Sequence, residues 1–395
     1  MTREEVFSAC KEALTKSNVL LLEAATGLGK TAISIRLVNW ITQEVYKSRK
    51  PTMLLLVAKR VHKQTWKEEF QKWGGINAIV TMECYESLHK HTKERFDFIV
   101  LDEVHHVGSE MRMEALRTIK YGYMLGLSAT IPRNLKMHFK YHYHSEVVSC
   151  DIIEAIEDEV LPEPEILLFP LQVENTKLSE TIELNPKAKN PVVYGEYKDI
   201  WKYKKSKQHA ILRCTQKQKL MDIDKSIEWY KQKAMSNPAM KQTWLYLCGK
   251  RLEFLADCKL QWVKLILHHL DKERTITFCK TIAQTEQLGK NCIHSQNKDA
   301  DRIYEQFNQG KIDHITAVNI LNENANLVNC RYAVFCNLSS SEVVIPQRLG
   351  RAMRHKQPVI IMPYYQGTRE EEVINKMLEN FNKDFIRVIH SISEI

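Results

Sequence analysis

The sequence predicts an α/β protein with two parallel-sheet domains and a helical insertion between them. In residues 1–165, apolar runs of strand length alternate with amphipathic stretches of helical length. This alternation is typical of a parallel sheet covered by helices. It returns in residues 251–395 but is missing from the polar stretch 166–250. We therefore expect two α/β domains at the ends, with a linker and a basic helical insertion in the middle.

The composition favours a reducing compartment and a polyanionic partner. The 395 residues carry a formal net charge of +9, which favours a partner such as nucleic acid. Ten cysteines are present without a C-x-x-C pair, a usage typical of free thiols. No apolar run approaches the ~20 residues of a membrane span, and residues 1–5 lack the apolar core of a secretory signal. We expect a cytoplasmic protein that does not contact a membrane.

The loop 24–31 lies between a predicted strand, 19–22, and a predicted helix, 32–38, and it ends in Gly-Lys-Thr. A loop of this kind is a phosphate-binding P-loop, in which backbone N–H groups and a helix N-terminus surround an anion. Taken alone, an ordinary glycine turn is the alternative. We expect Lys30 to contact the β- and γ-phosphates and the Thr31 hydroxyl to ligate Mg²⁺. The predicted nucleotide-binding residues are Ala25, Thr26, Gly27, Leu28, Gly29, Lys30 and Thr31.

A second chemical motif follows the buried strand predicted at 98–101. This strand ends at Asp102-Glu103-Val104-His105, where an open α/β sheet places its ligands. We expect Asp102 to hold Mg²⁺, partly through water, and Glu103 to orient or deprotonate an attacking water. A charged, solvated turn is the alternative for this motif alone. Further strands are predicted in the first half at 53–58, 79–82 and 124–127, and the alternation at 141–144 suits an exposed strand.

Together with Ser128-Ala129-Thr130 after the next strand, these motifs resemble the superfamily 2 helicases of the D-E-x-H type. The chain is similar to small DNA helicases and translocases of bacteria and their phages. The resemblance implies two RecA-like domains that bind ATP and Mg²⁺ between them. It also implies that Ser128 and Thr130 link the nucleotide state to the grip on nucleic acid.

Two features depart from the family pattern. Many relatives carry a Gln upstream of the P-loop that reads adenine, but the predicted helix 2–14 contains none. Where the family often has Pro-Thr after the second strand, this chain has Ala58-Lys59-Arg60. Lys59 and Arg60 keep positive charge near the nucleic-acid path that the resemblance implies.

The second half contains a further motif, Q-x-x-G-R-x-x-R, at residues 347–354. Arg351 and Arg354 are three residues apart, so on a helix they share a face. The resemblance implies that they are arginine fingers for the γ-phosphate and that Gln347 faces the nucleotide. A basic solvated helix is the alternative. Weaker family matches lie at 276–280 and 319–327, and predicted strands lie at 275–278, 292–294, 315–320, 332–335 and 359–362.

The middle of the chain is basic and aromatic. Between residues 187 and 259 there are 17 Lys or Arg but only 7 Asp or Glu. Cations neutralise phosphates and aromatic rings stack on bases, so the stretch suits a strand-binding surface. The alternative is a helical hairpin with an aromatic core and a charged outer face. The aromatic residues are Trp201, Tyr203, Trp229, Tyr230, Trp244 and Tyr246.

Residues and resemblance together predict an ATP hydrolase that moves along or unwinds DNA, either single-stranded or branched. An RNA helicase, a branch-migration motor, a P-loop binding module without hydrolysis and a motor subunit that needs a partner remain open. The insertion-poor second half suggests a phage or mobile-element origin.

Overall fold

The computed structural model describes residues 1–47, 49–318, 327–338 and 355–395. The predicted motif with Gln347, Arg351 and Arg354 lies outside the described residues. The weaker match at 319–327 is described only at Leu327.

The first domain is a six-stranded, entirely parallel sheet in the order β3-β2-β4-β5-β1-β6. Its strands are β1 (Val19–Ala24), β2 (Thr52–Val57), β3 (Ile79–Cys84), β4 (Arg95–Asp102), β5 (Lys120–Ser128) and β6 (Glu146–Cys150). Its helices are α1 (Arg3–Lys16), α2 (Lys30–Ile41), α3 (Arg60–Lys72), α4 (Glu110–Thr118), α5 (Arg133–Tyr143) and α6 (Ile152–Glu157).

Burial on both faces explains why the central strands are continuous apolar runs. In β1, the four residues 19–22 are all buried, as expected where helices cover both sides of a parallel sheet. The preceding helix α1 begins with a capping box: Thr2 Oγ1 accepts the Glu5 N–H, and the Glu5 carboxylate accepts the Thr2 N–H. Such reciprocal bonds satisfy two N–H groups that a helix start leaves unpaired.

The predicted exposed strand at 141–144 is wrong, because most of these residues form the end of α5. Leu135, Phe139 and Tyr143 are buried at four-residue spacing along this helix. This helical period, with its apolar face packed on the sheet, overrides the short polar–aromatic alternation.

The middle of the chain contains a small sheet as well as helices. Strand β7 (Glu165–Leu171) pairs in the second large sheet. After it, β8 (Glu180–Leu184), β9 (Val193–Glu196) and β10 (Ala210–Cys214) form a separate sheet in the order β8-β10-β9. The helices are α7 (Ile200–Ser206), α8 (Gln216–Ser236) and α9 (Lys241–His269). The sequence predicts the helices of this segment but not the small sheet.

Helices α8 and α9 pack against each other as a hairpin across the turn at Asn237–Pro238. Only the second half of α9 enters the core of the second domain, where Phe254, Val263 and Ile266 are buried. We use the term distal hairpin for α8 together with residues 241–250 of α9.

The second domain is a seven-stranded parallel sheet in the order β12-β13-β11-β14-β15-β7-β16. Its remaining strands are β11 (Thr275–Phe278), β12 (Cys292–Ile293), β13 (His314–Ala317), β14 (Tyr332–Phe335), β15 (Val359–Tyr365) and β16 (Ile386–Val388). Its helices besides α9 are α10 (Ile282–Leu288), α11 (Ala300–Asn308) and α12 (Arg369–Leu378).

A buried ion pair ties α9 to the last part of this domain. The Lys259 ammonium donates to Glu370 Oε1 at 2.6 Å and to the Pro363 carbonyl at 3.2 Å. The second carboxylate oxygen of Glu370 accepts the Tyr365 N–H at 3.1 Å. Neither charged side chain is more than 1% exposed, and these hydrogen bonds make such burial tolerable.

Among the described helices, none is both long enough and apolar enough to cross a bilayer.

Candidate nucleotide site

The P-loop connects the end of β1 to the start of α2. Gly27 and Gly29 have φ angles of +102° and +98°, a region that residues with a side chain rarely adopt. A Cβ at Gly27 would also lie 3.0 Å from Leu161 Cδ2. Ala25 and Leu28 are buried in the core, so only their backbone groups can face a ligand. The loop therefore has the glycine geometry and the helix N-terminus that a phosphate site requires.

Lys30 and Thr31 begin α2 and line the cleft above the loop. The Lys30 ammonium donates to the Ala24 carbonyl at 2.9 Å, so it lies across the loop. The sequence places both residues at the end of the loop, before a helix predicted at 32–38, whereas in the structure α2 already begins at Lys30.

Arg3 supports the P-loop from α1. Its Nε donates to the Leu28 carbonyl at 3.0 Å, and its terminal nitrogen donates to the Gly27 carbonyl at 3.3 Å. The same cleft wall contains Glu4, whose carboxylate accepts two hydrogen bonds from Arg36 at 2.7 and 2.9 Å. These bonds lower the pKa of Glu4. No local motif in the sequence marks these residues, so they could not be predicted from it.

The acidic pair lies at the carboxyl end of β4 and is almost fully buried. Asp102 is 5% exposed and Glu103 is 4% exposed. The Trp66 indole N–H, on α3, donates to Asp102 Oδ2 at 2.8 Å, and the Tyr85 hydroxyl donates to the Asp102 carbonyl at 2.9 Å. Glu103 has φ of +54°, an uncommon conformation for a residue with a side chain. Such strained backbone is found preferentially at functional sites.

Ser128, at the end of the neighbouring strand β5, connects the two predicted motifs. Its hydroxyl oxygen lies 3.0 Å from Glu103 Oε2 and 2.9 Å from the Thr130 carbonyl oxygen. His105 Nδ1 lies 3.0 Å from the same hydroxyl and 3.5 Å from Glu103 Oε2. The structure therefore brings Glu103, His105, Ser128 and the Thr130 backbone into one hydrogen-bonded cluster.

These groups share a cleft of about 830 Å³ that both domains line. The first domain contributes the P-loop, the acidic pair and part of α3. The second domain contributes residues 327–329. Lys59 and Arg60 are exposed at the start of α3 and do not line this cleft. The cleft thus combines the predicted phosphate site and acidic pair, while the two basic residues lie apart from it.

The six predicted aromatic residues of the middle segment differ in burial, and two of them, Tyr230 and Trp244, are half-buried. Tyr203 is buried in the core of the small sheet and not inside a helical hairpin, which is where the alternative places the aromatic residues. Trp201, Trp229 and Tyr246 are 74%, 52% and 63% exposed, which that alternative does not explain.

Comparison with known families identifies this combination. Residues 2–91 and 76–133 match the family described as type III restriction enzyme, res subunit, and residues 258–356 match the helicase conserved C-terminal domain. The chain is a superfamily 2 helicase. It is therefore an ATP-hydrolysing enzyme. Residues 134–257 of the helicase, which include the whole distal hairpin, lie outside both matches.

Two curated relatives extend over most of the helicase. It is 20% identical over 377 residues to the DNA 3'-5' translocase XPB2 of Sulfurisphaera tokodaii, a match that covers 90% of this chain and 79% of the relative. It is also 20% identical over 390 residues to the putative ATP-dependent helicase IRC3 of Saccharomyces cerevisiae. That match covers 89% of this chain and 49% of the relative, so the helicase spans about half the length of the yeast protein.

Solved structures share its fold at low sequence identity. Dbp5 of S. cerevisiae bound to RNA and ADP BeF3 superposes with a TM-score of 0.59 at 12% identity, covering 98% of this chain and 89% of that chain. The type ISP restriction-modification enzyme LlaBIII bound to DNA gives a TM-score of 0.54 at 13% identity, covering 99% of this chain and 31% of that one. The likeness supports two RecA-like domains, as the sequence analysis expected.

Proposed function

We propose that this helicase couples ATP hydrolysis to movement along DNA or to its unwinding. The observation that carries the proposal is the cleft in which the P-loop, Asp102 and Glu103 meet. The match to the DNA translocase of S. tokodaii covers most of both chains. It supports DNA as the polymer along which the helicase moves. Asp102-Glu103-Val104-His105 supports its placement in the D-E-x-H group.

ATP and Mg²⁺ fit the groups that line the cleft. The P-loop backbone and Lys30 would hold the phosphates. The Thr31 hydroxyl and the Asp102 carboxylate would hold Mg²⁺, partly through water, since Mg²⁺ prefers oxygen ligands. The ion would neutralise charge on the phosphate oxygens. Oxygen donors from two different elements, α2 and β4, line the same cleft, as a phosphate-bound ion requires.

Glu103 is the residue that we assign to the attacking water. The hydrogen bond from Ser128 fixes one carboxylate oxygen, which leaves the other to orient a water in line with the γ-phosphate. We assign Arg351 and Arg354 to stabilise the charge that develops on the leaving phosphoryl group, with Gln347 beside the nucleotide. These three assignments rest on the sequence motif.

Coupling between ATP hydrolysis and nucleic-acid binding would begin at the hydrogen-bonded cluster around Ser128. Ser128 contacts Glu103 on one side and the Thr130 carbonyl on the other. A change in the water-activating carboxylate would therefore reach the segment after β5. We assign Lys59 and Arg60 to phosphate contacts along the track, which makes binding sequence-tolerant and salt-sensitive.

ATP hydrolysis by the wild type and by Glu103→Gln tests the proposal, measured alone and with single-stranded DNA, duplex DNA or RNA. We expect DNA to stimulate the wild type. We expect Glu103→Gln to lower kcat by about 100-fold or more, because a positioned general base contributes at least that factor. Glu69→Gln is the matched control, since Glu69 is a second carboxylate of the cleft wall that bonds Trp73 instead.

The outcomes separate the alternatives. Stimulation by RNA alone would reassign the track to RNA and leave the catalytic assignment intact. Equal activity of Glu103→Gln and Glu69→Gln would remove the role given to Glu103. No hydrolysis under any condition would contradict the proposal as a whole.

A further inference from the structure

The excess positive charge of the chain is concentrated in residues 187–259, most of which belong to the insertion. Residues 187–259 hold 17 of the 57 Lys and Arg and 7 of the 48 Asp and Glu. The rest of the chain therefore holds 40 basic and 41 acidic residues, so it is almost neutral. A concentration of positive charge of this kind is the electrostatic footprint of a polyanion-binding surface.

On α8 the charge is organised around an exposed tryptophan. Lys225, Trp229 and Lys233 are four residues apart and therefore share one face of the helix. All three are exposed, and the Lys233 ammonium lies 5.6 Å from the centre of the Trp229 ring. Tyr230 stands nearly perpendicular to Trp229, with ring centres 4.7 Å apart, which restricts the indole. We call Lys225, Trp229 and Lys233 the α8 stripe.

The acidic residues of α8 do not neutralise the stripe. Each of its three carboxylates pairs with another cation, whereas Lys225 and Lys233 form no ion pair with any residue that the structure describes. The pairs are Asp222–Lys204 at 2.7 Å, Asp224–Arg251 at 2.9 Å and Glu228–Lys231 at 3.7 Å. The ammonium groups of the stripe thus remain available for an external anion.

We propose that the α8 stripe binds single-stranded nucleic acid, with a base stacked on Trp229 and the flanking phosphates on Lys225 and Lys233. An aromatic ring between two cations fits alternating bases and phosphates, and one helical turn, about 6 Å of rise, separates each lysine from the ring. A duplex offers no unstacked base to such a ring. The inference rests on the proposed function and adds a contact outside both matched family regions.

The test is binding of a short fluorescent oligodeoxythymidylate to the full chain across a series of salt concentrations, measured by anisotropy. Base–aromatic stacking is worth about 1–3 kcal/mol per base, so Trp229→Ala should weaken binding roughly tenfold. Trp229→Phe should retain most of the affinity, because it keeps a stacking ring. Tyr194→Ala is the control, since Tyr194 is an insertion aromatic that is 76% exposed and outside the stripe.

The lysines are tested separately by a double substitution, Lys225→Gln with Lys233→Gln. Losing two phosphate contacts should reduce the slope of log affinity against log salt by about 1.4. Lys231→Gln is the matched control, because Lys231 lies on the same helix but pairs with Glu228. The lysine substitutions still test the proposal if the Trp229→Ala variant does not fold.

Two results would overturn the inference. If the stripe variants bind like their controls while DNA still stimulates ATP hydrolysis, the stripe is a solvated helix face and the proposed function stands. If the wild type neither binds nucleic acid nor responds to it, the proposed function and the stripe fail together.

Discussion

Trp66 lies between the basic start of α3 and the Asp102 carboxylate, which we propose as a ligand of Mg²⁺. Its side chain is 2% exposed, and its indole N–H donates to Asp102 Oδ2 at 2.8 Å. It lies on α3, which begins at Arg60, directly after Lys59. A displacement of α3 by nucleic acid would therefore pull on the Asp102 carboxylate. We infer that Trp66 is a positioning residue for Asp102.

Substituting Trp66→Phe keeps most of the buried ring and removes the N–H. A hydrogen bond to a charged group is worth about 1.5–3 kcal/mol. We therefore expect the Mg²⁺ concentration for half-maximal ATP hydrolysis to change by roughly tenfold and the stimulation by DNA to fall. A Mg²⁺ titration with and without DNA measures both effects.

The matched control is Trp73→Phe. The Trp73 indole also donates to a carboxylate, Glu69, at 2.8 Å, but Glu69 is outside the acidic pair. A loss of stability alone would leave the Mg²⁺ dependence of Trp66→Phe equal to that of Trp73→Phe. That equality would remove the positioning role.

The residues of the site could be predicted where they lie close together in the sequence. The P-loop and the acidic pair each occupy a few consecutive positions, because a tight anion loop and a strand end fix their spacing. Arg3 and Trp66 were missed because their partners lie 25 and 36 positions away in the chain. Only the fold brings them together, and neither belongs to a short motif.

At the scale of elements, α9 joins the distal hairpin to the second domain. Its 29 residues give a length of about 43 Å at the usual helical rise. The first part packs against α8, and the second part is buried in the domain core, where the Lys259–Glu370 pair fixes it. A strand held by the α8 stripe would therefore follow movements of the second domain.

Gly249 lies within α9, and a methyl group added there would meet no atom within 4 Å outside the local helix backbone. Glycine in a helix interior is about 1 kcal/mol less favourable than alanine. Gly249→Ala should raise the free energy of unfolding by about 0.5–1 kcal/mol, measured by chemical denaturation.

Gly126→Ala provides the contrast, because its Cβ would lie 2.6 Å from Leu21 Cδ2 in the central sheet. It should destabilise the protein through overpacking. A destabilised Gly249→Ala would mean that α9 needs the flexibility of glycine at this position.

The sequence predicted helices and strands correctly where a hydrophobic period extended over many residues or where a run of residues was fully apolar. The strands predicted at 275–278 and 332–335 have the observed bounds. The strands of the small sheet have only four or five residues. Their pairing joins positions as far apart as Glu180 and Cys214, so no local period marked them.

At the scale of the whole molecule, the cleft between the domains couples ligand binding to global stability. It is lined by the P-loop on one side and by residues 327–329 on the other. A nucleotide bound there would contact both domains, so unfolding either one would require its release.

Thermal unfolding of Glu103→Gln with Mg²⁺ and ATP tests this coupling without rapid hydrolysis. Ligand at 100 times its Kd adds about 2.7 kcal/mol to the free energy of unfolding, and the midpoint should rise accordingly. Adding Lys30→Ala should abolish most of the rise, because the phosphates lose their main cation. An equal rise in the double variant would place the nucleotide elsewhere.

The distribution of cysteines has a practical consequence. Nine of the ten are buried, and only Cys248, in the distal hairpin, is half-buried. Burial raises the pKa of Cys10, Cys258 and Cys330 to about 12, which suppresses the reactive thiolate. A maleimide dye should thus attach at one place on the unmodified chain. The hairpin could then be followed by fluorescence during turnover without first engineering a cysteine-free background.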